Sequence, residues 1–322
     1  QQFRFGRVTL TLLVGDALER LKELDARVDA WFLDGFAPPK NPDMWQPELF
    51  EQVARLSAPG ATLATFSSAG SVRRALKKAG FEVKRIPGLG HKWENLQGQL
   101  VTPPETPQPP WFARPSHQPA QRKALVIGAG LAGCASAASL AARGWQVALL
   151  ERHDDIAQEG SGNPQGVLYL KLSAHGTALS QLVASGFGYT RRLLHNLQRG
   201  QDWDACGVLQ LSFDNKESVR QAALSDAFPP GLLHAVPREE AERLAGVALD
   251  HGGLFYPDAG WAHPPALCRW LIKHPSIELH RHRHPLELRR SGEQWQALAG
   301  DELVAEAPVV ILAGAADAKR FS

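Results

Sequence analysis

Two short stretches carry residue types arranged for chemistry. The first is Gly128-Ala129-Gly130-Leu131-Ala132-Gly133, a GxGxxG between the apolar run Ala124–Ile127 and the small-residue stretch Leu131–Arg143. In a strand–turn–helix the first glycine permits the tight turn and the second lets backbone approach a pyrophosphate. The third lets the helix pack close to the sheet. Phosphates would rest on the helix N-terminus, where amides without intrahelical partners and the helix dipole favour negative charge. Glu151 ends the next apolar run, Gln146–Leu150, about 18 residues past Gly133, where an acid can hydrogen-bond ribose hydroxyls. A glycine turn that serves packing alone has no need of that acid. The pattern predicts a dinucleotide site, and leaves FAD and NAD open because both carry an ADP moiety.

The second stretch is Asp34-Gly35-Phe36-Ala37-Pro38-Pro39-Lys40, which follows the apolar run Val28–Leu33. An acid, an aromatic ring and a rigid proline loop at the carboxyl end of a buried strand occupy the place where open α/β sheets put chemistry. The competing reading makes Asp34 a turn acid that stabilises its loop. Earlier, Asp16 follows the run Val8–Val14, read as a buried parallel strand, and can either accept from an adenine amino group or cap the next helix. Arg73, Arg74, Lys77 and Lys78 share one helix face by their three-to-four spacing. They belong to a basic cluster with Lys84, Arg85 and Lys92, opposed by Glu82 alone. That face is either simply solvated or contacts a phosphate backbone in a salt-dependent way. His280, His282 and His284 alternate with Arg281 and Arg283 along a strand-like stretch, Ile277–Arg290. No cysteine or carboxylate completes a ligand set, so an exposed strand face is expected and no metal.

These residues must be positioned by a framework of about two domains, the soft expectation for 322 residues. Apolar residues at 44% and charged residues at 21% exclude a disordered or fibrous chain. A net charge of +2 is too mild to declare a nucleic-acid partner, so any such signal must be local. Cys134, Cys206 and Cys268 are far apart and odd in number, which argues against a disulfide framework or a cysteine-type zinc site and fits a reducing cytosol. Ala124–Ala142 is uncharged over nearly a membrane-span length, but its glycines and serines make a poor span, and no secretory pattern opens the chain. A cytoplasmic, monomeric protein without a membrane partner is expected. The single methionine is Met44, so Gln1 is not a natural start and a fragment of a longer protein is expected.

Alternating strand-like and helix-like segments over 1–101 predict an α/β domain with a mostly parallel sheet: helices at Ala17–Leu24, Pro47–Leu56 and Val72–Ala79, a strand at Ala61–Phe66, and a terminal hairpin of Phe81–Ile86 with Asn95–Val101. Residues 102–123 carry prolines 103, 104, 107, 109, 110, 115 and 119, which predicts a stiff, extended linker. Trp111 and Phe112 within it are expected to dock on a domain surface. Residues 124–322 form the second domain, with the glycine turn, helices at Ala178–Leu194, Glu217–Ala227 and Pro264–Lys273, and late strands at Trp295–Leu298, Leu303–Ala305 and Val309–Leu312.

Glu159-Gly160-Ser161-Gly162-Asn163-Pro164-Gln165-Gly166 resembles the segment by which glycine oxidase and D-amino-acid oxidase-like flavoproteins approach the pyrophosphate and isoalloxazine. Val309–Leu312 with Ala313-Gly314-Ala315 is similar to their strand and turn that return to the flavin. This resemblance favours FAD, with Gly128, Ala129, Gly130, Leu131, Ala132, Gly133, Glu151, Arg152, Ser161, Gly162, Asn163, Gln165, Gly166, Ala313 and Gly314 as its binding set. The first domain resembles a class I S-adenosylmethionine methyltransferase, although the glycine-rich donor loop such enzymes carry after their first strand is absent. The stretches FLDGFAPPKNPDMW, ATFSSAGSVRRALKKAGF, GAGLAGC, GSGNPQGVLYLKLS, CGVLQL and YPDAGWAHPPAL together resemble the family of bifunctional tRNA wobble-uridine modification enzymes, from about Gly6 to the end of the chain.

That resemblance implies two steps on 5-carboxymethylaminomethyl-(2-thio)uridine in a tRNA anticodon. FAD-dependent oxidation and hydrolysis would free an aminomethyl group and glyoxylate, and a methyl group from S-adenosylmethionine would then be placed on the amine. It implies that Asp34 holds or deprotonates the amine, that Phe36 stacks beside the uracil, and that Asp16 faces the donor's adenine. Trp261 is a substrate-side or core aromatic, and Arg73, Arg74, Lys77 and Lys78 are the RNA contacts. Two alternatives stay open: an amine oxidase for free small molecules with an attached methyltransferase, and a non-catalytic tRNA-binding piece.

Overall fold

The computed structural model describes residues 2–6, 8–88, 94–104, 119–283 and 286–321, in two compact units, Gln1–Ser116 and His117–Ser322. The first unit opens with a hairpin of β1 (Gln2–Phe5) and β2 (Val8–Thr11), paired antiparallel from Phe5↔Val8 outward. This corrects the expectation of a buried parallel strand over Val8–Val14. The segment Val-Thr-Leu-Thr alternates apolar with polar residues, is exposed along its whole length, and has the period of a solvated antiparallel ribbon. Then come α1 (Ala17–Glu23), β3 (Val28–Leu33), a 3-10 turn at Pro42–Trp45 and α2 (Pro47–Leu56), whose Leu49, Phe50, Val53, Ala54 and Leu56 are buried on one face.

β4 (Ser57–Thr65), α3 (Gly70–Lys78), β5 (Phe81–Pro87) and β6 (Glu94–Leu100) complete this unit. Its sheet runs β3-β4-β6-β5, with β3 parallel to β4 and the remaining pairs antiparallel. The sheet expected to be mostly parallel thus holds one parallel pair among the described residues, because the chain closes it with the β5–β6 hairpin. The core lies where α2 and α3 cover the sheet: Phe50, Val53, Leu63, Val72, Leu76 and Leu96. β3 is less buried than its apolar run suggests, and Phe32 is 85% exposed.

The second unit contains β7 (Lys123–Ile127), α4 (Leu131–Ala141) and β8 (Gln146–Leu150). Next come β9 (Gly166–Leu168), α5 (Ala178–Leu194), β10 (Trp203–Asp204), β11 (Val208–Leu211), α6 (Asn215–Ala227), β12 (His234–Val236), α7 (Arg238–Ala245), β13 (Gly253–Tyr256), β14 (Gly260–Ala262) and α8 (Pro264–Leu271). The last elements are β15 (Ile277–His280), β16 (Glu287–Ser291), β17 (Gln294–Ala299), β18 (Glu302–Ala307) and β19 (Val309–Leu312). The helix α7 was not foreseen; its apolar face is short and its residues are mostly charged.

The sheet that matters for the site is β15-β8-β7-β19, parallel throughout. Leu125 and Val126 are fully buried, as a strand covered on both faces requires. The expected single strand over Ile277–Arg290 is two strands in different sheets: β15 extends the parallel sheet, and β16 joins β17 and β18. The break falls at His282, whose φ of 57° interrupts the alternation. His284, Lys92 and most of the proline-rich stretch, with Trp111 and Phe112, lie outside the described residues. Among the described residues no helix is long and apolar enough to cross a membrane, and no cluster of three or more metal-ligating side chains occurs.

Candidate functional site

At the carboxyl ends of β7, β8 and β19 a cleft of about 260 Å³ opens. Its floor is the glycine turn. Gly128 sits at φ +102°, and a Cβ there would lie 2.9 Å from the Ala313 carbonyl oxygen. A Cβ on Gly133 would lie 1.8 Å from the Gly128 carbonyl oxygen, so the helix can approach the turn this closely only with glycine. A Cβ on Gly130 would stand 3.0 Å from Ser161 Oγ. The first and third glycines therefore do what the motif requires, and the second leaves backbone open toward the cleft.

No side chain from the residue preceding α4 caps the helix. Instead the Leu131 amide donates to Ser161 Oγ at 3.0 Å, which leaves the Ser161 hydroxyl proton free to donate to an anion at the same helix end. Cys134 Sγ donates to the Ala129 carbonyl at 3.4 Å and ties α4 back to the turn. Glu151 is 8% exposed. Its Oε2 accepts from the Ala129 amide at 2.8 Å and its Oε1 from the His153 amide at 3.0 Å. Its carbonyl accepts from the Arg283 amide at 3.0 Å, so the end of β8 is pinned to the chain leaving β15.

Arg152 spans two carboxylates, with Nη1 2.6 Å from Asp317 Oδ2 and Nη2 2.5 Å from Glu159 Oε1. The hydrogen bonds to Glu159 and then Asp317 raise the guanidinium's proton affinity further. Glu159 is held below the usual carboxylate range by hydrogen bonds from His153 and Arg152. Arg283 and Arg320 also line the cleft, and the Nε of Arg283 is buried without a hydrogen-bond partner among the described residues.

Of the residues expected to bind FAD, Gly128, Gly130, Leu131, Ala132, Glu151, Arg152, Ser161, Ala313 and Gly314 line this cleft. Ala129 is buried behind the turn, and Gly133 serves packing. The rest of the glycine-rich loop is placed elsewhere. A Cβ on Gly162 would meet the Ala157 carbonyl, Asn163 Oδ1 accepts from the Gln165 amide within a turn, and Gly166 pairs with Ala262 in the β9–β14 ladder. The expectation missed Glu159, Gly160, Arg283, Asp317, Arg320 and Phe321. Reading β15 as ending at His280 would have exposed Arg283, because residues just beyond the carboxyl end of a strand beside the switch point face the ligand.

In the first unit a cavity of about 610 Å³ is lined by Phe32, Asp34, Phe36, Lys40, Thr65 and Asn95, among others. Asp34 Oδ1 accepts from the Gly35 amide at 2.8 Å, a bond that does not use Oδ2. The Phe36 ring is 70% exposed, while its carbonyl is held by Trp45 Nε1 at 2.8 Å. Trp45 in turn packs edge-on against Phe66 at 5.9 Å, so the loop is anchored under its exposed ring. Asp16 takes the capping role: its side chain accepts from the Glu19 amide at 3.0 Å. Trp261 belongs to β14, facing Val167 and Asp204 across the ladders. In α3, Val72 and Leu76 are buried, Arg73 is half-buried, and Arg74, Lys77 and Lys78 are exposed.

A parallel sheet, a glycine turn whose first and third glycines leave no room for a Cβ and an acid at the end of the second strand define a dinucleotide-binding unit. Residues 123–322 match the family model for FAD dependent oxidoreductases, and the chain belongs to that family. Residues 1–101 match the model for S-adenosyl-L-methionine-dependent methyltransferases. Over 99% of its length the chain is 69% identical to the tRNA 5-methylaminomethyl-2-thiouridine biosynthesis bifunctional protein MnmC of Stutzerimonas stutzeri, covering 48% of that protein. It is 66% identical to the protein of the same name from Pseudomonas putida, over 100% of this chain and 49% of that one. The chain thus spans about half the length of the curated relatives it matches. Glycine oxidase from Bacillus cereus shares the fold with a TM-score of 0.50 at 18% identity, over 62% of this chain and 58% of that one.

Proposed function

We propose that the chain is part of a bifunctional enzyme that modifies the wobble uridine of tRNA. Its second unit would serve the oxidative removal of the carboxymethyl group from 5-carboxymethylaminomethyl-(2-thio)uridine. Its first unit would serve N-methylation of the aminomethyl group so freed. The observation that carries this reading is the 69% identity, across both units, to a relative named for that biosynthesis. One unit unmasks the amine that the other consumes, which gives the pairing in one chain a chemical reason.

The cleft fits FAD: glycines that a Cβ would fill, a hydroxyl at the helix end and a buried acid complement its pyrophosphate and ribose. Gly128, Gly130, Leu131, Ala132 and Ser161 would hold the pyrophosphate, with Glu151 at the ribose and Ala313-Gly314 closing the turn. Arg152 and Arg283 also stand on this wall, Arg152 paired with Glu159 and Asp317 and Arg283 with Glu302. FAD supplies a two-electron acceptor when bound, and the protein supplies placement and electrostatics. In the first unit Asp34 would hold the amine, which must be neutral with its lone pair aimed at the methyl carbon. Phe36 offers an exposed ring for stacking on the uracil.

The test is turnover by the full-length protein, supplied with FAD and S-adenosylmethionine, on tRNA bearing the carboxymethylaminomethyl group and, separately, on glycine and sarcosine. Methylaminomethyl nucleoside in the tRNA is the expected product. Turnover confined to the free amines would overturn the reading.

A further inference from the structure

The last row of strand pairing across the first unit's sheet runs Leu33↔Thr65↔Leu96. Because β6 is antiparallel to β4, the next step beyond that row reaches Asp34 on the β3 side and Asn95 on the β6 side. Both line the same cavity. Asn95 Oδ1 is buried and has no hydrogen-bond partner among the described residues. An acceptor left unsatisfied in this way requires explanation, and the cavity it borders is where the amine substrate would enter. Of the other side-chain acceptors there, Thr65 Oγ1 is already engaged by the Ser67 amide at 3.2 Å. Asp34 keeps one oxygen free of the Gly35 amide.

A neutral primary amine has two N–H donors and one lone pair. Two acceptors placed on either side of it fix both hydrogens and so direct the lone pair. We propose that Asn95 is a specificity-determining residue for the methyl transfer: its Oδ1 accepts one N–H of the substrate amine while Asp34 accepts the other. This rests on the function given above. In the transfer the nitrogen lone pair forms the N–CH₃ bond as the sulfonium C–S bond breaks. The C–S electron pair stays on sulfur, giving S-adenosylhomocysteine. The nitrogen becomes cationic and yields one proton to the Asp34 carboxylate, which passes it to water. The product amine has one N–H left. It cannot satisfy both acceptors while presenting its lone pair, so the reaction stops at one methyl group.

The experiment uses the full-length protein, S-adenosylmethionine and tRNA carrying 5-aminomethyluridine, with wild type, Asn95→Leu and Asn95→Asp. Leucine matches the size and removes the acceptor; aspartate keeps an acceptor in place. The expected result is a fall in kcat of about tenfold or more for Asn95→Leu, the scale of one lost hydrogen bond to a reacting group. Its tRNA Kd should stay within about twofold, and mass spectrometry should find dimethylated nucleoside that wild type does not form. Asn95→Asp should retain most of the rate, which separates loss of the acceptor from loss of the fold. Equal loss in both variants, or an unchanged rate and product in Asn95→Leu, overturns the inference. A wild type that methylates no tRNA overturns the underlying function instead.

Discussion

Glu151 Oε2 accepts the Ala129 amide at 2.8 Å, so the acid of the dinucleotide motif holds the glycine turn. Its other oxygen takes the His153 amide, and Ala129 is fully buried. Glu151→Ala would leave the buried Ala129 N–H unpaired, at a cost of about 1–3 kcal/mol. Flavin-free Glu151→Ala should therefore melt at lower temperature than flavin-free wild type, and Glu151→Gln should fall between them because one acceptor oxygen survives. Equal melting of all three without flavin would show that Glu151 does not support the turn.

Two glycines of the cleft region should respond in opposite ways to alanine. A Cβ on Gly133 meets the Gly128 carbonyl oxygen at 1.8 Å, backbone against backbone, whereas a Cβ on Gly160 meets nothing within 4 Å. Gly133→Ala must force α4 away from the turn, with an overpacking cost of about 1–3 kcal/mol, and should lose flavin binding. Gly160→Ala should keep its melting temperature. Circular dichroism melts and flavin absorbance of the two purified variants make the comparison. A stable, yellow Gly133→Ala protein would contradict the packing described here.

Much of this was legible beforehand, for identifiable reasons. The helices Pro47–Leu56 and Ala178–Leu194 keep the bounds their sequence pattern predicts because a strong start signal precedes each apolar periodicity: Pro47 at N1, and Thr177, whose side chain accepts from the Ser180 amide. The glycine turn was legible because its spacing is a contiguous motif between a strand and a helix, although only Gly133 answers a contact inside the turn; Gly128 and Gly130 answer Ala313 and Ser161, far along the chain. What was hidden depends on pairing. Val8–Thr11 reads as apolar enough to be buried, and only its partner β1 decides that it is not. Gly162, Asn163, Gln165 and Gly166 share a composition with Ser161, yet only Ser161 of these reaches the helix end. The Leu131 amide needs one acceptor, and the chain then turns away toward β9. Asn95 carries no sequence signal at all; its place beside Asp34 follows from the antiparallel return of β6.

Acid should loosen the loop that follows β8. Glu159 is held below its ordinary carboxylate value by hydrogen bonds from His153 and Arg152. A depressed folded value means that the stabilisation is complete above the ordinary range and lost as pH falls through the lowered value. The group is fully exposed to solvent, so the effect is local and weakened by salt. Amide exchange over 152–160, compared with intrinsic rates, should show protection near neutral pH that disappears below the carboxylate range. In Glu159→Gln the protection should be weaker at every pH and its acid-side loss absent. An acid transition that persists in Glu159→Gln would show that Glu159 is not the group responsible.

The exposed cations of α3 offer a test that fold stability does not confound. Val72 and Leu76 hold the helix to the core, while Arg74, Lys77 and Lys78 point to solvent. Replacing these three with alanine should leave the melting temperature nearly unchanged, since exposed positions away from caps and pairs contribute little. If the face contacts the phosphate backbone, each lost cation removes about 0.7–0.9 from the slope of log affinity against log salt. The triple variant of the full-length protein should therefore bind tRNA more weakly at low salt, with a slope shallower by about two to three. Convergence of the two binding curves at high salt is the further expectation, because the missing term is counterion release alone. A slope equal to that of wild type would make the helix an ordinary solvated face and place the RNA contact elsewhere.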